Sequence, residues 1–172
     1  MHMHRDPQTM QAQTMQGDVV AEVLAFLKHR AMTLSAQGVQ GARMVLDPGF
    51  GFGKTVAQNF SLLARLGELL AAGYPLLAGW SRKSSLGAIG STSLVPGAPV
   101  DSADRLIPSV AAALLAVDRG ARIVRVHDVR ETVQALKVLQ AVNGGQAVKP
   151  GPALQALSTI STISTTGTGI SP

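Results

Sequence analysis

Apolar positions recur at three- and four-residue spacings in four stretches of the chain, and short apolar runs ending in glycine-rich or charged loops lie between them. The first helical stretch is predicted over residues 17–37, where Val20, Val23, Leu24, Leu27 and Leu34 form an inward stripe broken by Glu22, Lys28 and Arg30. Asp18 suits its first turn and Gly38 its stop. A strand follows over residues 43–47 and leaves at Asp47-Pro48-Gly49. The second helix is predicted over residues 58–72, with Phe60, Leu63, Leu66, Leu69 and Leu70 inward and Gly73 as terminator. Residues 75–79 make the next strand, with Trp80, Ser81, Arg82 and Lys83 at its end. A Gly-, Ser- and Pro-rich stretch over residues 87–99 reads as a loop or a break in a helix. Asp101 or Asp104 is then placed to cap a helix carrying Val110, Leu114, Leu115 and Val117 and stopping at Gly120. Residues 122–126 form a third strand and residues 130–141 a closing helix ended by Asn143 and Gly144.

This alternation of strand and helix predicts an α/β fold with a parallel sheet. Three complete strand-helix units, preceded by one helix, amount to about half of an eight-unit (β/α)8 barrel, whose usual length is roughly 250 residues. A half barrel leaves two strand edges open and one face of its inner side chains uncovered. The organisation expected is therefore a partial barrel over residues 1–144 followed by a Ser-, Thr- and Gly-rich tail over residues 145–172, which is expected to be disordered.

Composition narrows the function. Of 172 residues none is Cys, which excludes a disulfide framework or a cysteine-ligated metal. The net charge is +5, yet no three of the fifteen Lys and Arg are consecutive, and only six residues are aromatic. That argues against nucleic acid as a partner and for a few cations placed around a small anion. Every long apolar stretch is interrupted by charge, as Arg65 and Glu68 interrupt residues 62–77, so no membrane span is expected. The first residues lack the apolar core of a signal peptide, and a cytoplasmic protein is the default. His2 and His4 suggest a tag or a metal pair, but no third ligand stands nearby in sequence.

Three segments carry chemistry. The first runs from Asp47 through Pro48-Gly49-Phe50-Gly51-Phe52-Gly53-Lys54 to Thr55. It is not a nucleotide phosphate loop, because the residue five before Gly53 is Pro48 rather than Gly, and the dinucleotide spacing fails as well. What remains is a carboxylate at a strand's C-terminal end, the end that forms the mouth of a parallel barrel. There Asp47 either accepts paired hydrogen bonds from an amidine-like edge, such as a 2-aminopyrimidinone ring, or caps the loop amides. In the second segment Ser81 and Lys83 share one face if the chain stays extended, while Arg82 faces away. Hydroxyls, two cations and free amides opening a helix suit an oxyanion or ring carbonyl, or else a solvated helix start. The third is Arg125-Val126-His127-Asp128. Arg125 and His127 share a strand face, where a pyrophosphate would satisfy both; alternatively His127 is a core imidazole held by Asp128.

In order and spacing, residues 1–11, the Asp47 to Thr55 loop with Gln58-Asn59, residues 79–83 and residues 123–129 resemble the second half of dihydropteroate synthase, most nearly its bacterial form. The likeness covers residues 1–142. It implies a (β/α)8 barrel that joins 4-aminobenzoate to 6-hydroxymethyl-7,8-dihydropterin pyrophosphate, giving dihydropteroate and pyrophosphate for folate synthesis. By that resemblance Asp47 and Lys83 contact the pterin, and Arg125 with His127 holds the pyrophosphate. Phe52 and Ser84 border the 4-aminobenzoate pocket in which sulfonamides compete, with Arg82 beside it. Mg²⁺ is implied on the pyrophosphate, with its protein ligand in a loop of the other half of the barrel, and a homodimer through the last helices is implied as well. The alternative is a non-catalytic remnant of that enzyme able to bind an anion or to dimerise.

Overall fold

The computed structural model describes residues 1–10, 12, 14–89 and 105–144. The expected loop over residues 87–99 falls largely outside them, and the Asp101 and Asp104 caps and the 145–172 tail do so entirely. Helix α1 is Val19–Ala36, α2 Val56–Ala64, α3 Ser84–Gly87, α4 Leu106–Asp118 and α5 Val129–Val142; strand β1 is Leu76–Ala78 and β2 Ala121–Val124.

Local chemistry accounts for the helix starts. Asp18 Oδ1 accepts from Val20 N at 2.9 Å, relieving one of the donors left over at the N-terminus of α1. Thr55 and Gln58 form a reciprocal capping box at α2, with bonds of 3.1 and 2.9 Å. Arg65 bridges Asp18 and Glu68, tying the start of α1 to the end of α2 on the surface.

Two expected elements differ. The helix predicted over residues 58–72 is α2 followed by a 3-10 helix, Leu66–Ala72. A three-residue period puts Leu66, Leu69 and Ala72 on one side, packed on the core, and leaves Leu70 exposed rather than inward. The strand predicted over residues 43–47 is reduced to a single bridge at Leu46, preceded by a 3-10 turn at Gly41–Arg43. Leu34 and Leu115, expected inward, are also exposed: Leu34 lies past Ala31, the last buried residue of α1, and Leu115 lies on the side of α4 turned away from the buried Ala112, Ala113 and Ala116.

The sheet is parallel. Leu46 bridges Leu76, and β1 pairs with β2 through Leu76–Ala121, Leu77–Ile123 and Ala78–Val124. His2 N donates to Asp47 O at 2.9 Å, so the first residues lie beside the Leu46 segment on its other side. Helices α1 and α2 cover one face, with Val23, Leu27, Leu62, Leu66, Leu69 and Leu76 at its centre. Trp80, at the end of β1, joins this core between Phe50 and Phe60, with ring centroids 4.7 and 5.3 Å away. On the opposite face Val45 and Ile123 stand exposed, as expected of part of a barrel whose inner side chains lack their facing strands. Among the described residues no helix is long and apolar enough to cross a membrane.

Candidate active site at the strand ends

All three predicted site segments emerge from the same end of the parallel sheet, since parallel strands carry their C-termini together. Asp47 follows the Leu46 bridge, Lys83 closes the turn after β1, and Arg125 directly follows β2. Arg125 Nη2 lies 4.0 Å from Asp47 Oδ2, reaching across the middle strand. Gly79 permits that reach, because a Cβ on it would sit 2.9 Å from Arg125 Nη2. Lys83 Nζ lies 4.3 Å from the centre of the Phe52 ring. Burial lowers the Lys83 pKa, nearby Arg125 lowers it further, and Asp47 opposes both. An acid, an ammonium, a guanidinium and a phenyl ring thus share one mouth.

Of the two alternatives for Asp47, the structure shows the loop cap. Oδ1 accepts from Gly49 N at 2.7 Å, which is the loop-cap role, while Oδ2 is the oxygen nearer Arg125. The extended reading of residues 81–83 is corrected. Lys83 N donates to Trp80 O at 3.1 Å, closing a turn in which Arg82 has φ 59°. That left-handed backbone is held because Arg82 N donates to Ser109 Oγ at 2.9 Å and Arg105 Nη1 donates to Arg82 O at 3.0 Å.

The Arg125 side chain is 62% exposed, because the facing half of a barrel is what would enclose it. Asp128 does not hold His127. It pairs with Arg82 at 2.6 Å, which keeps its carboxyl below the usual carboxylate range and draws the Arg82 side chain toward α5 rather than toward Lys83. His127 Nδ1 instead meets Ser81 Oγ at 2.9 Å. Ser84 is exposed at the first position of α3.

Two groups that composition and spacing passed over organise the loop. Lys54 is 3% exposed, and its ammonium binds Gly49 O at 2.8 Å, Phe52 O at 3.3 Å and His2 Nδ1 at 2.9 Å. Burial brings the Lys54 pKa down to about 8. His2 is therefore a structural acceptor in this arrangement, not a metal ligand paired with His4. Asn59 is 1% exposed; Oδ1 accepts from Gly51 N at 2.8 Å, and Nδ2 reaches Lys54 O, Thr55 O and Ser85 Oγ at 3.3, 2.9 and 3.1 Å. It joins the loop bearing Phe52 to the helix that follows Lys83. Its only sequence signal is its place beside Gln58 just after the loop. Asn59→Ala is expected to destabilise the chain by about 2 kcal/mol, the scale of stranding buried polar groups, as read by urea unfolding.

Among the described residues no three His, Cys, Asp or Glu side chains gather closely enough to hold a metal ion. The described residues therefore do not fit a protein-held metal.

Residues 1–127 match the family described as pterin binding enzyme. The chain belongs to that family. Among curated relatives, dihydropteroate synthase of Haemophilus influenzae is 48% identical over 141 residues, covering 82% of this chain and 48% of the relative. Among solved structures, dihydropteroate synthase of Stenotrophomonas maltophilia superposes with a TM-score of 0.76 at 48% identity, covering 87% of this chain and 52% of that one. The Xanthomonas albilineans enzyme in complex with 7,8-dihydropteroate superposes with 0.69 at 47% identity, covering 75% and 47%. The chain thus spans about half the length of the relatives it matches, and its described residues form part of a (β/α)8 barrel.

Proposed function

We propose that the chain carries one half of a dihydropteroate synthase active site, the half that grips the pterin and its departing pyrophosphate. The observation that carries this reading is the meeting of Asp47, Lys83 and Arg125 at the ends of three adjacent parallel strand segments, with Phe52 beneath the ammonium. In the reaction, the C–O bond between the pterin methylene and pyrophosphate breaks, a C–N bond to the amine of 4-aminobenzoate forms, and the amine gives up one proton.

Pyrophosphate departs from a methylene on an electron-rich ring, leaving a cation-like centre at that carbon. Asp47 accepts from the ring's amidine-like edge and stabilises the positive charge spreading into it, while Lys83 holds a ring acceptor. Arg125 offsets charge on the leaving diphosphate, and His127 donates a hydrogen bond to it. Phe52 and Ser84 border the incoming 4-aminobenzoate. Arg82 lies beside that pocket, with its guanidinium drawn to Asp128. Mg²⁺ belongs to this reading only as a companion of the pyrophosphate, held from outside this chain. No general base of the hydrolase kind is needed.

Arg125→Ala and His127→Ala are each expected to weaken inorganic pyrophosphate binding about tenfold, the effect of one charge-assisted hydrogen bond, with a smaller loss for a pterin. Isothermal titration of both ligands reads the difference, and equal losses would refute the division of labour. Turnover of pterin pyrophosphate and 4-aminobenzoate by the chain alone is expected to be undetectable, because the site faces solvent on the Val45 and Ile123 side. Robust product would refute the half-site reading.

We further propose that two copies pair through the last helices. Ile107 and Leu115 on α4 and Val138 and Val142 on α5 are exposed apolar side chains that a partner would cover. Sedimentation at micromolar concentration is expected to give a dimer that Val138→Lys dissociates.

A further inference from the structure

Among the described residues, one side chain orients His127. The carboxylate next to it in sequence, Asp128, is engaged by Arg82 at 2.6 Å and makes no hydrogen bond to the imidazole. The ring's Nδ1 meets Ser81 Oγ at 2.9 Å, and the same oxygen accepts from the backbone N–H of His127 at 3.1 Å. Ser81 is 7% exposed and sits on the turn that leaves β1, whereas the rest of the imidazole is open to the mouth of the strands.

A hydroxyl has one hydrogen and two lone pairs. One lone pair of Ser81 is taken by the backbone N–H of His127. If Nδ1 carried the ring proton it would take the second lone pair, and the buried hydroxyl hydrogen would have no acceptor among its partners. If Nδ1 is bare, the hydroxyl donates into it and every group is matched. Stranding a buried donor is the more costly arrangement, so the second pattern prevails.

We propose that Ser81 is a positioning residue that holds neutral His127 as its Nε2–H tautomer, presenting a ring donor to the anion beside Arg125. The proposal rests on the reading of His127 as a pyrophosphate contact. A free imidazole divides its proton between its two nitrogens; fixing it removes the fraction of molecules that would turn a lone pair toward a diphosphate oxygen. The turn places the hydroxyl with little freedom, because Arg82 N is tied to Ser109 and Lys83 N to Trp80.

The test is ¹⁵N NMR of the full chain, labelled at histidine, in mildly alkaline buffer. His127 is assigned by its loss in His127→Gln. The expected wild-type spectrum has a protonated Nε2 and a bare Nδ1. Ser81→Ala is expected to give a mixture of tautomers and to bind inorganic pyrophosphate about threefold more weakly, and Ser81→Thr to restore both. Fluorescence of Trp80, the single tryptophan, checks that each variant keeps its core. A wild-type Nδ1–H form, or a tautomer ratio unchanged in folded Ser81→Ala, overturns the proposal. A correct tautomer whose signals do not move on adding pyrophosphate upholds the Ser81 role and refutes the anion reading of His127.

Discussion

Gly49→Ala is expected to destabilise the chain by about 4 kcal/mol and to abolish pterin binding, whereas Gly51→Ala, two residues on, loses only about 1 kcal/mol. Both glycines have positive φ, 69° and 79°, so both replacements carry the left-handed backbone penalty. They differ in what a methyl group meets. At Gly51 the nearest atom is Lys83 Cδ at 3.3 Å, the far part of a flexible side chain. At Gly49 the methyl would overlap the backbone carbonyl of His2, which cannot swing aside without disturbing the bond from His2 N to Asp47 O. Gly49 N also holds Asp47 Oδ1, and Gly49 O holds Lys54, so displacing this residue releases the acid from its orientation and the buried ammonium from its partner. Urea unfolding of the two variants, with pterin titration, checks the contrast. A difference below 1 kcal/mol between them would show that the His2 segment does not clasp the loop.

Acid should loosen the same clasp. His2 is 5% exposed, its ring lies edge-on to Phe26 at 4.9 Å between centroids, and its Nδ1 accepts from Lys54. Burial, and next the Lys54 charge, lower its pKa to about 4. The folded state therefore refuses a proton that the unfolded chain takes up near the ordinary value of about 6.5. The sign follows from proton counting: stability is complete above about pH 6.5 and is lost as pH falls toward 4, by a total of about 3 kcal/mol. His2→Gln keeps an acceptor for Lys54 and removes the titration. Unfolding free energies of the two chains from pH 7 to pH 4 are expected to diverge over that interval. Carboxylates with lowered pKa values, such as Asp128, titrate alike in both and cancel. Parallel curves would mean that the imidazole is solvated. Because Lys54 also bridges Gly49 and Phe52, the acid loss is expected to reach the candidate site before the distant helix α5.

The helices were legible because their signals are local. Asp18 at the start of α1, Gly38, Gly73 and Gly144 with positive φ at the ends, and the stripe of Val20, Val23 and Leu27 need no tertiary information. The sequence also placed Asp47, Lys83 and Arg125 at strand ends, and parallel strands oblige such residues to share one end of the sheet. The 3-10 helix at Leu66–Ala72 was not legible, since Leu66, Leu69 and Leu70 satisfy the α period as well as the tighter one until the core selects which leucines enter it.

By itself, then, the sequence determined the order of elements, the parallel sheet, the family and which charged residues meet. Only the tertiary structure decided their partners: Lys54 with His2, Asn59 with Gly51 and Ser85, Arg82 with Asp128, and Ser81 with His127. Each pair but Asn59–Gly51 is separated by at least 26 positions. Periodicity and capping report on neighbours within a turn or two, whereas the choice among distant polar partners follows from which buried donors and acceptors would otherwise go unmatched, and that is known only once the chain has closed on itself.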